Sequence, residues 1–98
     1  MEILKNQQGT ALNLALVGRL DTTTAPQLEA ELNTSISGVT ELVLDFAKLD
    51  YISSAGLRVL LAAQKTMLKQ GKMTVRNVVP EIMEVFEITG FSDILTIE

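Results

Sequence analysis

"LVLDFAKLDYISSAGLRVLLAAQKTMLKQGKMTVR", residues 42–76, decides the fold of this chain. The apolar run that ends at Phe46 suits a central strand covered on at least one side. Ala47 to Ser54 reads as a loop. Beyond it Leu57, Leu60, Leu61 and Leu68 recur at helical spacing and mark a core face, with Gln64 the single polar interruption. Gly71 stands where that helix ends, and "KMTVR" returns as a strand. Strand, helix, strand is a crossover unit, right-handed in nearly all sheets.

The flanking segments extend the pattern. "MEILKNQQGTALNLALVGRLD" (residues 1–21) reads as two strands joined through the polar stretch Asn6 to Gly9. In the second of these, Leu12, Leu14 and Leu16 alternate with Asn13 and Ala15, so one face meets the core. "TTTAPQLEAELNTSISG" (residues 22–38) predicts a helix. Thr24 and Gln27 have capping-box spacing, and Pro26 falls in the first turn, where its missing N–H costs nothing. Leu28, Leu32 and Ile36 form the apolar stripe, and Gly38 suits the stop. Pro80 and Gly90 bound a third helix, and "FSDILTIE" closes with a short turn and an edge strand. The order β-β-α-β-α-β-α predicts an α/β fold, a mixed sheet of about four to five strands packed with helices, in one domain over residues 1–98. Sites in such sheets gather at loops beyond the carboxyl ends of strands. Ala47–Ser54 is such a loop.

Composition narrows the function. The chain has no cysteine and no histidine, which removes thiol chemistry, disulfides, the commonest metal ligand and the commonest general base. Eight basic residues are scattered against twelve acidic ones, and the net charge of −4 disfavours nucleic acid. No apolar run reaches the roughly 20 residues a membrane crossing needs, and the first residues lack the pattern of a secretory signal. A non-enzyme of the cytoplasm, without cofactor, metal or membrane insertion, is the expectation.

Two serines open the central helix. Ser54 precedes Arg58 by four residues and so heads the exposed stripe Arg58, Ala62, Lys65 and Lys69. A phosphoserine carries about −1.5 to −2 charges, which the amide donors and dipole of a helix N-terminus are suited to hold. Arg58 offers a counter-charge, and Gly56 predicts an uncrowded first turn that a partner or kinase can approach. The residues alone leave a plainer use open, because serine is a common N-cap worth about 1 kcal/mol. A nucleophilic serine would need a base, and no histidine is there to serve.

"LVLDFAKLDYISSAGLRVLL" (residues 42–61) resembles the signature of the STAS domain, specifically of bacterial anti-sigma factor antagonists of the partner-switching type. "GRLDTTTAPQLEAEL" (18–32) and "VRNVVPEIMEVFEITGFSDIL" (75–95) agree with that family in order and spacing, so the resemblance spans nearly the whole chain. It implies a small mixed sheet with helices and no enzymatic activity. It also implies that the unphosphorylated form binds an anti-sigma factor that is itself a serine kinase, releasing the sigma factor. The kinase uses ATP and magnesium to phosphorylate a serine at the start of the second helix, which ends binding, and a PP2C-type phosphatase reverses this. On that resemblance the acceptor is Ser54. Many members have aspartate before the acceptor and serine or threonine after it. Here those places hold Ser53 and Ala55, which keeps Ser53 as the alternative acceptor.

The resemblance further implies a partner-facing surface of Asp21, Ser53, Ser54, Gly56 and Arg58. Asp21 has a plainer reading as a polar strand end, and Asp45 is expected to fix the loop that follows it. A second use of STAS-like domains, as constitutive subunits of lipid-transport ABC systems or of other regulatory assemblies without a phosphorylation cycle, would leave the serines with capping alone. Glu81, Glu84 and Glu87 suit a solvated helix face, Met67, Met73 and Met83 suit core gaps, and Tyr51 or Ile52 should anchor the loop.

Overall fold

The computed structural model describes residues 1–98 and has the expected element order. Strands β1 (Glu2–Gln8) and β2 (Ala11–Leu20) lead into helix α1 (Ala25–Ser35). Strand β3 (Glu41–Ile52), helix α2 (Ser54–Gln70) and strand β4 (Lys72–Arg76) follow, then helix α3 (Pro80–Thr89). The sheet has four strands in the order β1-β2-β3-β4; the first pair is antiparallel and the other two are parallel. The expected last strand reduces to a bridge between Val75 and Ile97 after a 3-10 turn at Phe91–Asp93.

The hairpin is tighter than the sequence suggests. Both strands run to a two-residue turn, Gly9–Thr10, and Gly9 takes the positive φ of 62° that such turns require. Leu12, Leu14 and Leu16 face the same side as Leu42 and Leu44 of β3 and Met73 and Val75 of β4. All three helices add to that side, giving one cluster of 23 buried residues that includes Leu28, Leu60, Met67 and Phe86. Phe46 and Phe86, both fully buried, pack with ring centroids 6.3 Å apart and hold α3 against β3. No helix is long and apolar enough to cross a membrane.

The largest departure from expectation is β3. Residues 47–52 are not a loop; they continue the strand, with two register shifts against β2. Asp45 pairs with Ala15 but Lys48 with Val17, and Leu49 pairs with Gly18 but Tyr51 with Arg19. Each shift inserts one extra residue in β3, as a β-bulge does. Phe46, Leu49 and Ile52 are therefore the inward residues, at a spacing of three that does not look like a strand. Asp45 fixes this segment as expected: its Oδ1 accepts from the Ala47 amide at 2.9 Å and from Asn77 Nδ2 at 3.1 Å.

Helix α2 also corrects the expected core stripe. Leu57 and Leu60 are buried, whereas Leu68 is 71% exposed. Met67 takes the inward place in that turn, and Leu68, about 100° further round the helix, is turned outward. Gln64 is buried within the stripe, as the polar interruption expected there, and its Oε1 has no hydrogen-bond partner. Of the pair expected to anchor the segment before α2, Ile52 is buried and Tyr51 is half exposed. Met67 and Met73 are buried and Met83 packs against the core.

Candidate functional site

The ends of β2 and β3 and the start of α2 meet at one edge of the molecule. The Ser53 amide donates to the Leu20 carbonyl at 2.9 Å, which ties the turn after β3 to the last residue of β2. Ser53, not Ser54, is the N-cap of α2. Its backbone is extended (φ −99°, ψ 174°), and its Oγ accepts from the Gly56 amide at 3.3 Å. Ser54 is the first helical residue, exposed, and its hydroxyl makes no hydrogen bond. The two roles that the sequence placed on one residue are thus divided between neighbours.

Arg58 lies one turn on, exposed and without an ion pair. With Thr22, Pro26, Glu29, Ala55 and Val59 it lines a groove of about 250 Å³ between α1 and α2. Gly56 does not face this surface. It is buried, and a Cβ there would lie 2.8 Å from Leu20 Cγ and 3.0 Å from Ile52 Cγ1. Glycine is required for the close approach of α2 to the ends of β2 and β3, which corrects the expected open backbone.

Asp21 joins the site through its own turn. Its Oδ1 accepts from the Thr23 amide at 3.0 Å, the Thr23 hydroxyl at 2.8 Å and the Thr24 amide at 3.1 Å. The expected capping box between Thr24 and Gln27 does not form. Thr24 already has helical dihedrals (φ −100°, ψ −19°), so its hydroxyl turns back to donate to the Arg19 carbonyl at 2.7 Å. Gln27 Nε2 instead donates to the Met1 carbonyl at 3.0 Å. Asp21 thereby organises the entry to α1.

The Thr23 hydroxyl holds the Asp21 carboxyl below its ordinary value; desolvation opposes this, and the Thr24 and Thr23 amides and the Thr24 hydroxyl add to the lowering. A depressed carboxylate pKa contributes stability above the unfolded value near 3.9, and that contribution is lost as pH falls through the folded value. Asp21→Asn should therefore lower the urea midpoint at pH 7 and flatten its decline below about pH 4. The same acid-induced decline in wild type and variant would contradict this role.

Two residues of the site escaped sequence reasoning. The Arg19 guanidinium lies 4.2 Å from the centroid of the Tyr51 ring, with Nε 3.8 Å from Asp21 Oδ2. Arg19 stands two residues before Asp21 in "GRLD", a usable hint. Its partner could be found only by knowing the two bulges that bring Tyr51 opposite it. The structure brings together Arg19, Asp21 and Tyr51, ties Ser53 to Leu20 at the same end of the sheet, sets Ser54 and Arg58 on the first turns of α2, and leaves Gly56 beneath.

Known proteins share this architecture. The STAS domain family matches residues 2–98. BtrV of Bordetella bronchiseptica, assigned as an anti-sigma factor antagonist, is 39% identical over 99 residues, covering 99% of this chain and 85% of its own. An anti-sigma factor antagonist from Mycobacterium paratuberculosis superposes with a TM-score of 0.88 at 22% identity, covering 98% of this chain and 83% of its own. The phosphorylated form of Bacillus SpoIIAA superposes with a TM-score of 0.77 at 21% identity, covering 99% and 91%. With the family match running almost end to end over a four-stranded mixed sheet, the chain belongs to the STAS domain family.

Proposed function

We propose that the chain is an anti-sigma factor antagonist whose binding is switched by phosphorylation of Ser54. The observation that carries this reading is the division of labour between the serines. Ser53 supplies the cap, so helix stability gives no reason for a second hydroxyl at Ser54, which faces solvent and bonds to nothing. The relatives named as anti-sigma factor antagonists support the role, and SpoIIAA has been solved in both unphosphorylated and phosphorylated forms.

The local chemistry suits a reversible phosphate. The amides of Ser54 and Ala55 open the helix without an internal acceptor, and a dianion beside them is favoured by the helix dipole by about 0.3–1 kcal/mol. Arg58, on the same exposed stripe, adds a cation without a competing partner. The phosphate would therefore be tolerated by the fold and rejected by the interface. The partner is an anti-sigma factor serine kinase, and a PP2C-type phosphatase restores the binding form. Release of the sigma factor is the transcriptional output, in the cytoplasm.

The test is intact-mass spectrometry after incubation with the purified anti-sigma factor kinase of the same bacterium, ATP and magnesium. Wild type and Ser53→Ala should each gain one phosphate, and Ser54→Ala none. Phosphate on Ser54→Ala would move the acceptor elsewhere. No phosphate on wild type, with the kinase active on a control substrate, would leave a constitutive interaction module.

A further inference from the structure

We infer that the stacked Arg19–Tyr51 pair is an anchor that receives an acidic side chain of the anti-sigma factor beside Ser54. The inference rests on reading the chain as an anti-sigma factor antagonist, and it starts from the second bulge of β3. In an unbroken register after Gly18 and Leu49, Arg19 would stand opposite Asp50 and the two would form a lateral ion pair. The inserted residue moves Asp50 out of register and sets Tyr51 opposite Arg19. Bulges are found where a strand must re-aim a side chain next to a site. Here the re-aiming exchanges a salt bridge that would satisfy the guanidinium for a ring that only supports it.

The result is a cation held in place with its donors free. The Arg19 side chain is 60% exposed, it lies over a Tyr51 ring that is itself 42% exposed, and its guanidinium makes no hydrogen bond. Its nearest carboxylate, Asp21, spends Oδ1 on Thr23 and Thr24 and offers Oδ2 only at 3.8 Å. A planar fork of N–H donors of this kind matches a carboxylate in two-point fashion. The Tyr51 ring already holds the guanidinium in place, so part of its side-chain freedom is given up before binding. Tyrosine and arginine are also the residue types that most often dominate binding at protein interfaces. The Ser53–Leu20 hydrogen bond joins the strand end that carries Arg19 to the turn that opens α2, so the pair and Ser54 lie at the same end of the sheet and one partner surface would cover both.

The experiment is calorimetric titration of the purified anti-sigma factor kinase with wild type, Arg19→Ala, Arg19→Lys, Arg19→Glu, Tyr51→Ala and Ser54→Asp. Thermal melts serve as the folding control. Arg19→Ala and Tyr51→Ala should each weaken binding about 10-fold or more with melting unchanged. Arg19→Lys should recover little, because it restores the charge and not the fork. Arg19→Glu should be weaker again than Arg19→Ala if the partner group is acidic; equal loss would overturn that assignment. If wild type binds, Ser54→Asp does not, and Arg19→Ala and Tyr51→Ala stay within twofold of wild type, the anchor falls and the switch reading stands. A wild type that fails to bind the kinase overturns both.

Discussion

Ser54→Asp should reduce affinity for the anti-sigma factor kinase at least 100-fold while leaving the melting temperature unchanged or slightly raised. The two effects have separate physical causes. The Ser54 hydroxyl makes no hydrogen bond in the free protein, so its loss removes nothing from the fold. A carboxylate in the first turn of α2 gains from the helix dipole, by about 0.3–1 kcal/mol. In the complex the same carboxylate must lose its water. An uncompensated charge in an interface opposes association by several kcal/mol, and about 1.4 kcal/mol is a factor of ten. Ser53→Ala should show the reverse pattern: about 1 kcal/mol of stability lost with the cap, and binding kept once the protein is folded. Calorimetry and thermal unfolding on the two variants read both halves. Equal affinity of Ser54→Asp and wild type would remove the phosphorylation switch, and a destabilised Ser54→Asp would mean that Ser54 has a structural role after all.

Legibility in the sequence followed the regularity of the backbone. The helices and the alternating β2 are legible because one face of each meets the core, as with Leu12, Leu14 and Leu16, although in the last turn of α2 the inward place falls to Met67 and not to Leu68. Strand β3 was readable only to Phe46, because two inserted residues change its inward spacing from two to three. That pattern is no longer a strand signal, so the segment holding Tyr51 read as a loop. Both serines stand out in the sequence, but which of them caps depends on the φ and ψ of Ser53, whose amide is tied to the Leu20 carbonyl far back in the chain. Thr24 failed as a capping-box residue for a similar reason: Asp21 had already folded the preceding turn. Spacing rules find candidates; long-range hydrogen bonds decide among them.

Gly71 is the sharpest case, and Gly71→Ala should be the most destabilising small change in the chain. From the sequence Gly71 is simply the stop after α2, a place where glycine usually supplies a left-handed backbone. Its φ is 172°, outside the left-handed region that such stops use, so a left-handed φ is not the requirement. Space is. A Cβ at this position would fall 1.9 Å from the Thr40 carbonyl oxygen and 2.7 Å from Thr40 Cα. These are backbone atoms that no rotamer change can move aside. Thr40 is also fixed from both sides. Its amide and that of Glu41 donate to the Thr10 carbonyl at the hairpin turn, at 2.9 and 3.2 Å, and its own carbonyl accepts from Lys72 at 2.9 Å. Making room for a methyl group therefore means breaking the contact that aligns the starts of β3 and β4. Overpacking a core side chain costs about 1–3 kcal/mol, and the loss of backbone hydrogen bonds adds to it at about 1 kcal/mol each. A total near 3–4 kcal/mol is a large share of the roughly 5–15 kcal/mol that holds a domain together. In a chain of this length it should lower the melting temperature by at least about 12 °C. Gly38→Ala is the fitting control: φ there is +77° with no atom within 4 Å of the added Cβ, so only backbone strain of about 1–2 kcal/mol should appear. Comparable melting temperatures for the two variants would mean that the approach of Gly71 to Thr40 is not what aligns these strands.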